Sequence, residues 1–314
     1  MRQKSEIQKE LHSIGKIRQM TRAMQLISAV KVRRARTALS AAFPFFVSCA
    51  ESMAVLQQQS PEIATPLMNL RHKPKGADWH QAFYVFTGDQ GMAGAYNINV
   101  LNEAEDCIRH HALERTQAGY HVRLHLHIIG KQGAERMQNH QLPIETDFDF
   151  RIDPPTYKRA GELSNQIRRS YLAGEFDEIY FIFTQLERGG RMEVQKIRVL
   201  PADYGQLTSV YSGHEVIEGM DEQVEMEQIE YYPNVQRVLS YLFDTYLNGM
   251  LYGALTEAYA SEQTARMTAM DSATDSANQM LQSLQIEANR ARQEQITNEL
   301  SEIVSGAEAL AKKQ

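Results

Sequence analysis

The chain has 314 residues, of which 43% are apolar and 23% charged, and this composition excludes a disordered chain, a collagen and a small disulfide scaffold. The formal net charge of -6 taken alone argues against a nucleic-acid binder, yet residues 1–40 carry ten Lys/Arg and two Asp/Glu, a local net of +8. Residues 61–233 hold 22 of the 27 Gly and Pro, so two ends poor in helix breakers flank a breaker-rich middle.

The first segment, residues 1–59, predicts one long helix. Its apolar residues recur in steps of three and four, as expected for one helical stripe: Ile7, Leu11, Ile14, Ile17, Met20, Met24 and Ile27. Pro44 predicts a kink or shift within the helix, and Ser60 followed by Pro61 predicts its end.

The last segment, residues 234–314, contains no proline and predicts a second, longer helix. Its stripe of apolar and small residues is close to a heptad pattern: Val235, Leu239, Leu242, Tyr246, Met250, Ala254, Ala258, Met270, Ala273, Ala277, Met280, Leu284, Ala288 and Ala291. A helix of this length, roughly 110 Å at ~1.5 Å per residue, needs a packing partner. We therefore expect the two terminal helices to form a slim antiparallel or staggered coiled coil. Polar residues around its seam are either a solvated outer face or contacts with other chains around the rod.

The middle of the chain alternates between strand and helix patterns. Short β-rich runs predict strands at 81–87, 122–129 and 178–185, and helical patterns fall at 97–115, 131–139 and 156–173. A further run at 191–199 follows Gly189 and Gly190 and predicts an antiparallel hairpin strand. The alternation predicts a Rossmann-like α/β domain over 78–202 with a mostly parallel sheet. Residues 203–233 are acidic and predict a connector or a β extension.

The loop at 88–97 lies between a strand and a helix, where a phosphate-binding loop would lie. It lacks a GKS or GKT ending and does not fit GxGxxG, so a tight turn that lets the helix pack on the sheet is the favoured interpretation. No Ser/His/Asp or Cys/His nucleophile pattern is present, and the sequence predicts no catalytic residue, metal or cofactor.

Histidines invite a metal hypothesis at one place. On a strand, His121, His125 and His127 share one face, but no Cys or carboxylate nearby in the sequence completes a tetrahedral set, so structural histidines are favoured. The adjacent His110 and His111 have no sequence partner that makes them more informative.

The basic stretch at 31–36 (KVRRAR) is open to several interpretations. Nucleic acid or acidic lipid would suit its charge. Because it contains no aromatic residue and no recognition fold accompanies it, acidic loops of partner proteins suit it better.

Two further features concern location. The lone cysteines Cys49 and Cys107 make no disulfide framework and suit a reducing compartment. Charged residues break up the first apolar positions, so we expect no signal peptide, and no apolar run approaches the ~18–20 residues of a membrane span. Membrane contact, if any, is expected through another protein or a surface patch.

Four stretches of the sequence, at 14–36, 88–97, 260–277 and 289–310, together resemble one known family, the gamma subunits of F-type ATP synthases. Residues 14–36 (IGKIRQMTRAMQLISAVKVRRAR) resemble that family's N-terminal helix, and 88–97 are similar to its SDRGLCGGLN loop. Residues 260–277 (ASEQTARMTAMDSATDSA) and 289–310 (NRARQEQITNELSEIVSGAEAL) are very similar to its C-terminal signature. The motifs occur in the family's order and extend over nearly the whole chain.

The resemblance implies a non-catalytic rotor subunit. In the family, the terminal helices form a coiled coil inside a hexamer of alternating alpha and beta subunits, and the α/β domain lies beside the epsilon subunit on the membrane c-ring. Rotation of the ring and shaft drives ATP synthesis, and hydrolysis drives the reverse. The implied location is the cytoplasmic face of the bacterial plasma membrane, with membrane contact only through the c-ring and no nucleic-acid partner.

The resemblance also implies which residues contact the alpha/beta hexamer. Arg292, Gln293, Thr297 and Glu302 match positions that contact loops of the catalytic subunits. Met24 matches the shaft contact near acidic beta-subunit loops, with Lys31, Arg33 and Arg34 as its electrostatic part. Gln263 and Arg266 match residues that support coupling.

Several positions depart from the family. Gln90 stands where Arg is usual and Ala93 where Cys is frequent, the usual EP pair before the last helix is missing, and residues 59–78 and 203–230 are extended. Cys49 and Cys107 do not resemble the closely spaced regulatory pair of the chloroplast form. The alternatives are a coiled-coil scaffold derived from this family and, more weakly, a phosphate-binding enzyme that uses 88–97.

Overall fold

The protein is described by a computed structural model over residues 4–59, 67–68, 70–137, 143–187, 189–202, 231–232 and 234–311. Apart from Tyr231 and Tyr232, the predicted acidic connector at 203–233 lies outside the described residues, as does part of the extended 59–78 segment.

The elements follow the predicted alternation. In chain order they are α1 (Lys4–Gln59), β1 (Asp78–Phe86), α2 (Tyr96–Gln117), β2 (His121–Ile129), α3 (Lys131–Met137), α4 (Tyr157–Ala173), β3 (Glu178–Leu186), β4 (Met192–Leu200) and α5 (Val235–Ala311). Pro44 lies inside α1, which continues past it. Among the described residues, no helix has the length and apolar character needed to cross a membrane.

The four strands form one mixed sheet in the order β2-β1-β3-β4. β1 pairs parallel with β2 and β3, and β4 pairs antiparallel with β3. Gly189 and Gly190, both with positive φ, make the turn of the β3–β4 hairpin. The predicted strands, their directions and the hairpin are confirmed.

The chain divides into two compact units, Met1–Ala29 with Arg266–Gln314, and Val30–Ala265. Each long helix contributes residues to both units. The larger unit contains the whole sheet, and we refer to it as the central unit. The smaller one contains only the start of α1 and the later part of α5, and we refer to it as the helical unit.

The core of the central unit lies on both faces of the sheet. All nine positions of β3 are buried, as expected for a strand covered on both sides. On one face, Phe181 and Phe183 belong to a large apolar cluster that also includes α4 and the adjoining parts of α1 and α5. On the other face, Ile182 packs in a cluster with α2. Both long helices are therefore anchored in the same core as the sheet.

In the helical unit, α1 and α5 lie against each other in opposite directions. The hydroxyls of Thr21 and Thr274 are hydrogen-bonded at 2.7 Å, and Gln25 Nε2 donates to Asp271 Oδ1 at 2.6 Å. As the residue number rises along α1, it falls along α5. On α5, Met270 and Ala277 of the predicted stripe are buried and Ala273 is half-buried, whereas Met280 is 52% exposed and the buried Thr274 lies outside that stripe.

The predicted stripe on α1 is only partly correct. Ile7 is buried, but Ile17, Met20 and Ile27 are 46%, 61% and 58% exposed. Repeated steps of three drift around a 3.6-residue helix by about 60° each, so Ile17 and Met20 turn away from the face of Ile14. Small polar residues take their place, and the buried positions between 14 and 28 are Thr21 and Ser28.

Candidate functional site

In the central unit, the loop at 88–97 packs against the segment 256–265 of α5, which contains several buried polar residues. The Tyr96 hydroxyl donates to the carbonyl oxygen of Ala258 at 3.0 Å. Tyr96 also packs with Ala93 and Ala265 in a small buried cluster. The loop therefore joins the end of β1 to the long helix.

Gly88 leaves room for this packing. A Cβ atom built at Gly88 would lie 2.7 Å from Cδ of Glu262, closer than real Cβ contacts. The Glu262 side chain is itself buried, so it has little room to withdraw. The glycine thus permits the close approach of loop and helix, as the sequence indicates.

The polar groups of the loop are hydrogen-bonded within the central unit. Gly88 N donates to Asn97 Oδ1 at 2.7 Å, and the carbonyl of Gly88 accepts from Gln132 N at 2.9 Å. The Asp89 carboxylate accepts from the backbone N–H groups of Lys131 and Asp153 at 3.2 and 2.8 Å. An acidic side chain in this position also opposes an anionic ligand. The geometry is that of a packing loop and does not resemble a phosphate cradle.

The same segment of α5 also holds the end of the sheet. Glu257 Oε2 accepts from the backbone N–H of Leu186 at 3.2 Å, and the Ser261 hydroxyl donates to the carbonyl of Thr184 at 3.0 Å. All four of these residues are buried, where a polar group without a partner would be costly. These bonds fix the orientation of the sheet on α5.

Lys31, predicted as a partner contact, is bound inside the central unit. Its Nζ lies 2.9 Å from Asp153 Oδ2 and 5.7 Å from the ring centre of Tyr259. Burial alone would lower the pKa of Lys31, but its hydrogen bond to Asp153 and the negative charge there raise the pKa above its usual value. Of the other basic residues nearby, Arg33 and Arg34 are exposed.

Gln263 and Arg266, the residues matched to coupling, are both buried within the chain. Motif similarity identifies these two positions, whereas the neighbouring contacts of Tyr96, Glu257 and Ser261 were not predicted. For Glu257 and Ser261, the signal that could have identified them is the run of polar residues at 261–264 and nearby on α5.

In the helical unit, a groove of about 480 Å³ lies between α1 and α5. It is lined by Arg18, Gln19, Arg22, Ala23, Leu26, Thr274 and Asn278. Met24 beside it is half-buried.

Further along α5, the four residues matched to catalytic-subunit contacts are all exposed: Arg292, Gln293, Thr297 and Glu302. Exposed apolar side chains are interspersed with them: Ile296, Leu300, Ile303 and Val304. Solvent-facing apolar residues of this size on one helix are typical of a surface that packs on another chain.

The strand histidines form a hydrogen-bonded series. His80 Nδ1 lies 3.0 Å from His125 Nε2, and His125 Nδ1 lies 2.9 Å from Glu145 Oε1. His127 stacks on Tyr84 with ring centres 4.4 Å apart, and burial lowers the pKa of His127 to about 4. His125 and His127 are thus built into protein packing, which agrees with the structural interpretation. His121 is exposed at the start of β2.

Comparison with known proteins gives one family over the whole chain. The sequence profile described as ATP synthase matches residues 3–310. The ATP synthase gamma chain of Ruminiclostridium cellulolyticum is 35% identical over 97% of this chain and 98% of its own length. The sodium ion specific ATP synthase gamma chain of Acetobacterium woodii is 30% identical over 97% and 98%.

Solved structures show the same fold. A chain of the central stalk and c-ring structure of the Tetrahymena thermophila mitochondrial ATP synthase matches 81% of this chain and 99% of its own, with a TM-score of 0.54 at 20% identity. A chain of the OSCP/F1/c-ring structure of the Euglena gracilis enzyme matches 99% and 96%, with a TM-score of 0.59 at 14% identity.

Proposed function

The chain belongs to the ATP synthase gamma-chain family, and from that membership we propose how its two units serve the rotary mechanism. It is a central-stalk rotor subunit of an F-type ATP synthase, which couples ion-driven rotation of the c-ring to conformational cycling of the catalytic sites. The observation that carries this function is the family match over residues 3–310.

We propose that α1 and α5 act together as the shaft, in an antiparallel coiled coil. The opposed Thr21–Thr274 and Gln25–Asp271 pairs support this arrangement in the helical unit. The heptad spacing of buried residues on α5 supports it as well. Small side chains at the contact allow the two helices to approach closely, which keeps the rod narrow.

In this proposal, the central unit is the foot that receives torque, and its sheet is Rossmann-like. Torque requires a rigid attachment, because a loose joint would dissipate rotation as twist. The shared apolar core, together with the hydrogen bonds of Glu257 and Ser261 to the sheet, supplies that attachment. Lys31 holds the start of this region through Asp153.

The partners follow from the same role. We propose that the alpha and beta subunits surround the shaft and that the epsilon subunit and the c-ring contact the foot. Contact with the membrane is then only through the c-ring, at the cytoplasmic face of the bacterial plasma membrane. Catalysis belongs to the partner subunits, which the packing geometry of the 88–97 loop supports.

Exposed residues of the two helices, together with the half-buried Met24, are proposed to contact the hexamer directly. Arg33 and Arg34 suit acidic loops by charge, while Arg292, Gln293, Thr297 and Glu302 offer polar contacts along α5, and Met24 adds an apolar one. The buried Gln263 and Arg266 and the paired Lys31 are proposed to support coupling from within the chain, by holding the helices in place.

The test compares ATP hydrolysis with ATP-driven ion pumping in the reconstituted complex. The double variant Arg292→Ala/Gln293→Ala should lower pumping per ATP hydrolysed, or weaken assembly, while the isolated chain keeps its helicity. Gln282→Ala/Gln285→Ala removes two exposed side chains of the same helix outside the matched motif and serves as the control. Normal pumping in the first variant contradicts the proposed contact.

The scaffold alternative is tested by purification of the native complex. A rotor subunit is recovered together with the alpha and beta subunits. Recovery of the chain without them would contradict the rotary function itself.

A further inference from the structure

Two histidines and a carboxylate converge on the outer side of α2. His111 Nδ1 lies 3.0 Å from Glu114 Oε2, and His110 Nδ1 lies 3.8 Å from the same oxygen. One ligand-capable atom from each of the three side chains falls within 4.8 Å of the others. In the described part of the chain, no other set of three His, Cys, Asp or Glu side chains meets this condition.

Helix geometry produces this convergence. Glu114 lies four residues after His110 and three after His111, so both imidazoles are one turn away on the same side of the helix. The sequence alone shows two adjacent histidines, which would diverge from each other by about 100° around the axis. Because both imidazoles approach the carboxylate of Glu114, the three side chains bring their ligand atoms close together.

Two imidazole nitrogens and one carboxylate oxygen at this spacing suit a metal ion such as zinc, which is intermediate between hard and soft. Zinc binds imidazole nitrogen and carboxylate oxygen at ~2.0–2.2 Å, and tetrahedral angles then place neighbouring ligand atoms roughly 3.4 Å apart. The distances from the two imidazole nitrogens to Glu114 Oε2, 3.0 and 3.8 Å, lie on either side of that value. Small rotations of exposed side chains would equalise them, and the side chains of His110 and Glu114 are 67% and 57% exposed.

One of the three ligands is already held in place. The ring of His111 stacks on Tyr180 with centres 4.4 Å apart, and only 27% of its side chain is exposed. An ion would therefore find one fixed imidazole and two side chains free to close on it. This reduces the conformational freedom lost on binding.

The other histidine group lacks this convergence. His80 and Glu145 contact opposite nitrogens of the His125 ring, Nε2 and Nδ1. They therefore lie on opposite sides of that ring and do not face a common point. In the α2 group, by contrast, both imidazoles approach one carboxylate oxygen through Nδ1.

We propose that His110, His111 and Glu114 form a surface site for a divalent transition-metal ion of the zinc class. The three side chains supply two nitrogens and one oxygen, and the fourth position is left to water. None of its residues is among the proposed hexamer contacts, so a failure to bind zinc would leave the proposed rotary function untouched.

The test is calorimetric titration of the full chain with zinc chloride at neutral pH in a buffer that does not bind zinc. The wild type should show saturable binding. His110→Ala and Glu114→Gln should each lower the affinity at least 10-fold, because each removes one ligand of three. Both side chains are largely exposed, so the fold should survive, which circular dichroism checks.

Two matched controls separate this site from other histidines. His121→Ala removes an exposed histidine outside the group, and His125→Ala removes the centre of the other series; both should leave the affinity unchanged. Absence of saturable zinc binding, or unchanged affinity in His110→Ala and Glu114→Gln, would overturn the proposal. So would loss of binding in His125→Ala.

Discussion

Replacing Arg115 by Met should destabilise the central unit by about 3 kcal/mol, because the buried carboxylate of Glu178 would lose its cation. Glu178 begins β3 and is fully buried. It accepts hydrogen bonds from Arg115 Nε at 3.0 Å, from Trp79 Nε1 at 3.0 Å and from Gln81 Nε2 at 2.9 Å, and Arg115 Nη2 bonds its second oxygen. The cluster joins α2, β1 and β3 at one end of the sheet.

The magnitude follows from the environment of the carboxylate. Burial by itself would raise the pKa of Glu178, but the hydrogen bonds from Arg115, Gln81 and Trp79 lower it below its usual value, so the group is ionised in the fold. Removing one partner of a buried ion pair costs roughly 3–5 kcal/mol. The lower end applies here because two neutral donors remain and Met retains much of the aliphatic packing.

Urea unfolding followed by tryptophan fluorescence reports on this cluster, because Trp79 belongs to it. Trp79 is the single tryptophan of the chain, it is buried, and the Arg115 guanidinium lies 4.7 Å from its ring centre. The unfolding midpoint should fall, and the native emission of Trp79 should change as the guanidinium is lost.

Arg109→Met is the matched control on the same helix. Arg109 is 73% exposed and lies 3.5 Å from Glu105, one turn away. Such a surface pair contributes at most about 0.5 kcal/mol. If Arg115→Met costs less than about 1 kcal/mol, or no more than the control, the buried carboxylate of Glu178 does not depend on the Arg115 cation for its stability.

Four further changes test other parts of the fold. Because the folded pKa of Glu178 lies below its usual 4.5, its stabilisation is complete above that pH and is lost on acidification, so urea titrations of Glu178→Gln should depend less on pH below about 4.5. Burial lowers the pKa of His127 to about 4, so the folded protein loses up to ~3 kcal/mol of stability as the pH falls from about 6.5 to 4. Phenylalanine does not titrate, so His127→Phe should make the unfolding midpoint depend less on pH over this range. Ala277→Glu should bury an unpaired charge between the helices and lower the melting temperature by circular dichroism, and an unchanged melt would place Ala277 at the surface. Gly130→Ala should cost about 2 kcal/mol or more in urea unfolding, since φ is +96° and the added Cβ would lie 2.1 Å from the carbonyl oxygen of Thr87; a smaller loss would show that the backbone relaxes.

The secondary structure of this chain is largely readable from local pattern. The near absence of breakers at the two ends and the strand–helix alternation in the middle correspond to α1, α5 and the mixed sheet. The adjacent Gly189 and Gly190 predicted the hairpin, because two successive glycines are typical of a hairpin turn whose residues have positive φ. These features depend on residues close in sequence, which is why pattern suffices.

Side-chain pairing required the tertiary structure. The apolar spacing of α1 predicted Ile17 and Met20 on the buried stripe, yet Thr21 and Ser28 are the buried residues, and Thr21 bonds to Thr274 of α5. The choice depends on which side chains let a second helix come close, and that helix lies some 250 residues further along the chain.

The family, the long terminal helices and the positions of the strands along the chain are readable from local sequence, because motifs, breakers and periodicity are properties of neighbouring residues. The roles of the polar residues depend on the folded chain. Folding paired Lys31 with Asp153, enclosed Gln263 and Arg266, and placed Glu178 under Arg115. The effect of a charged group depends on its distance from other charges and on its exposure to water. Contacts between segments far apart in the chain determine both the distance and the exposure.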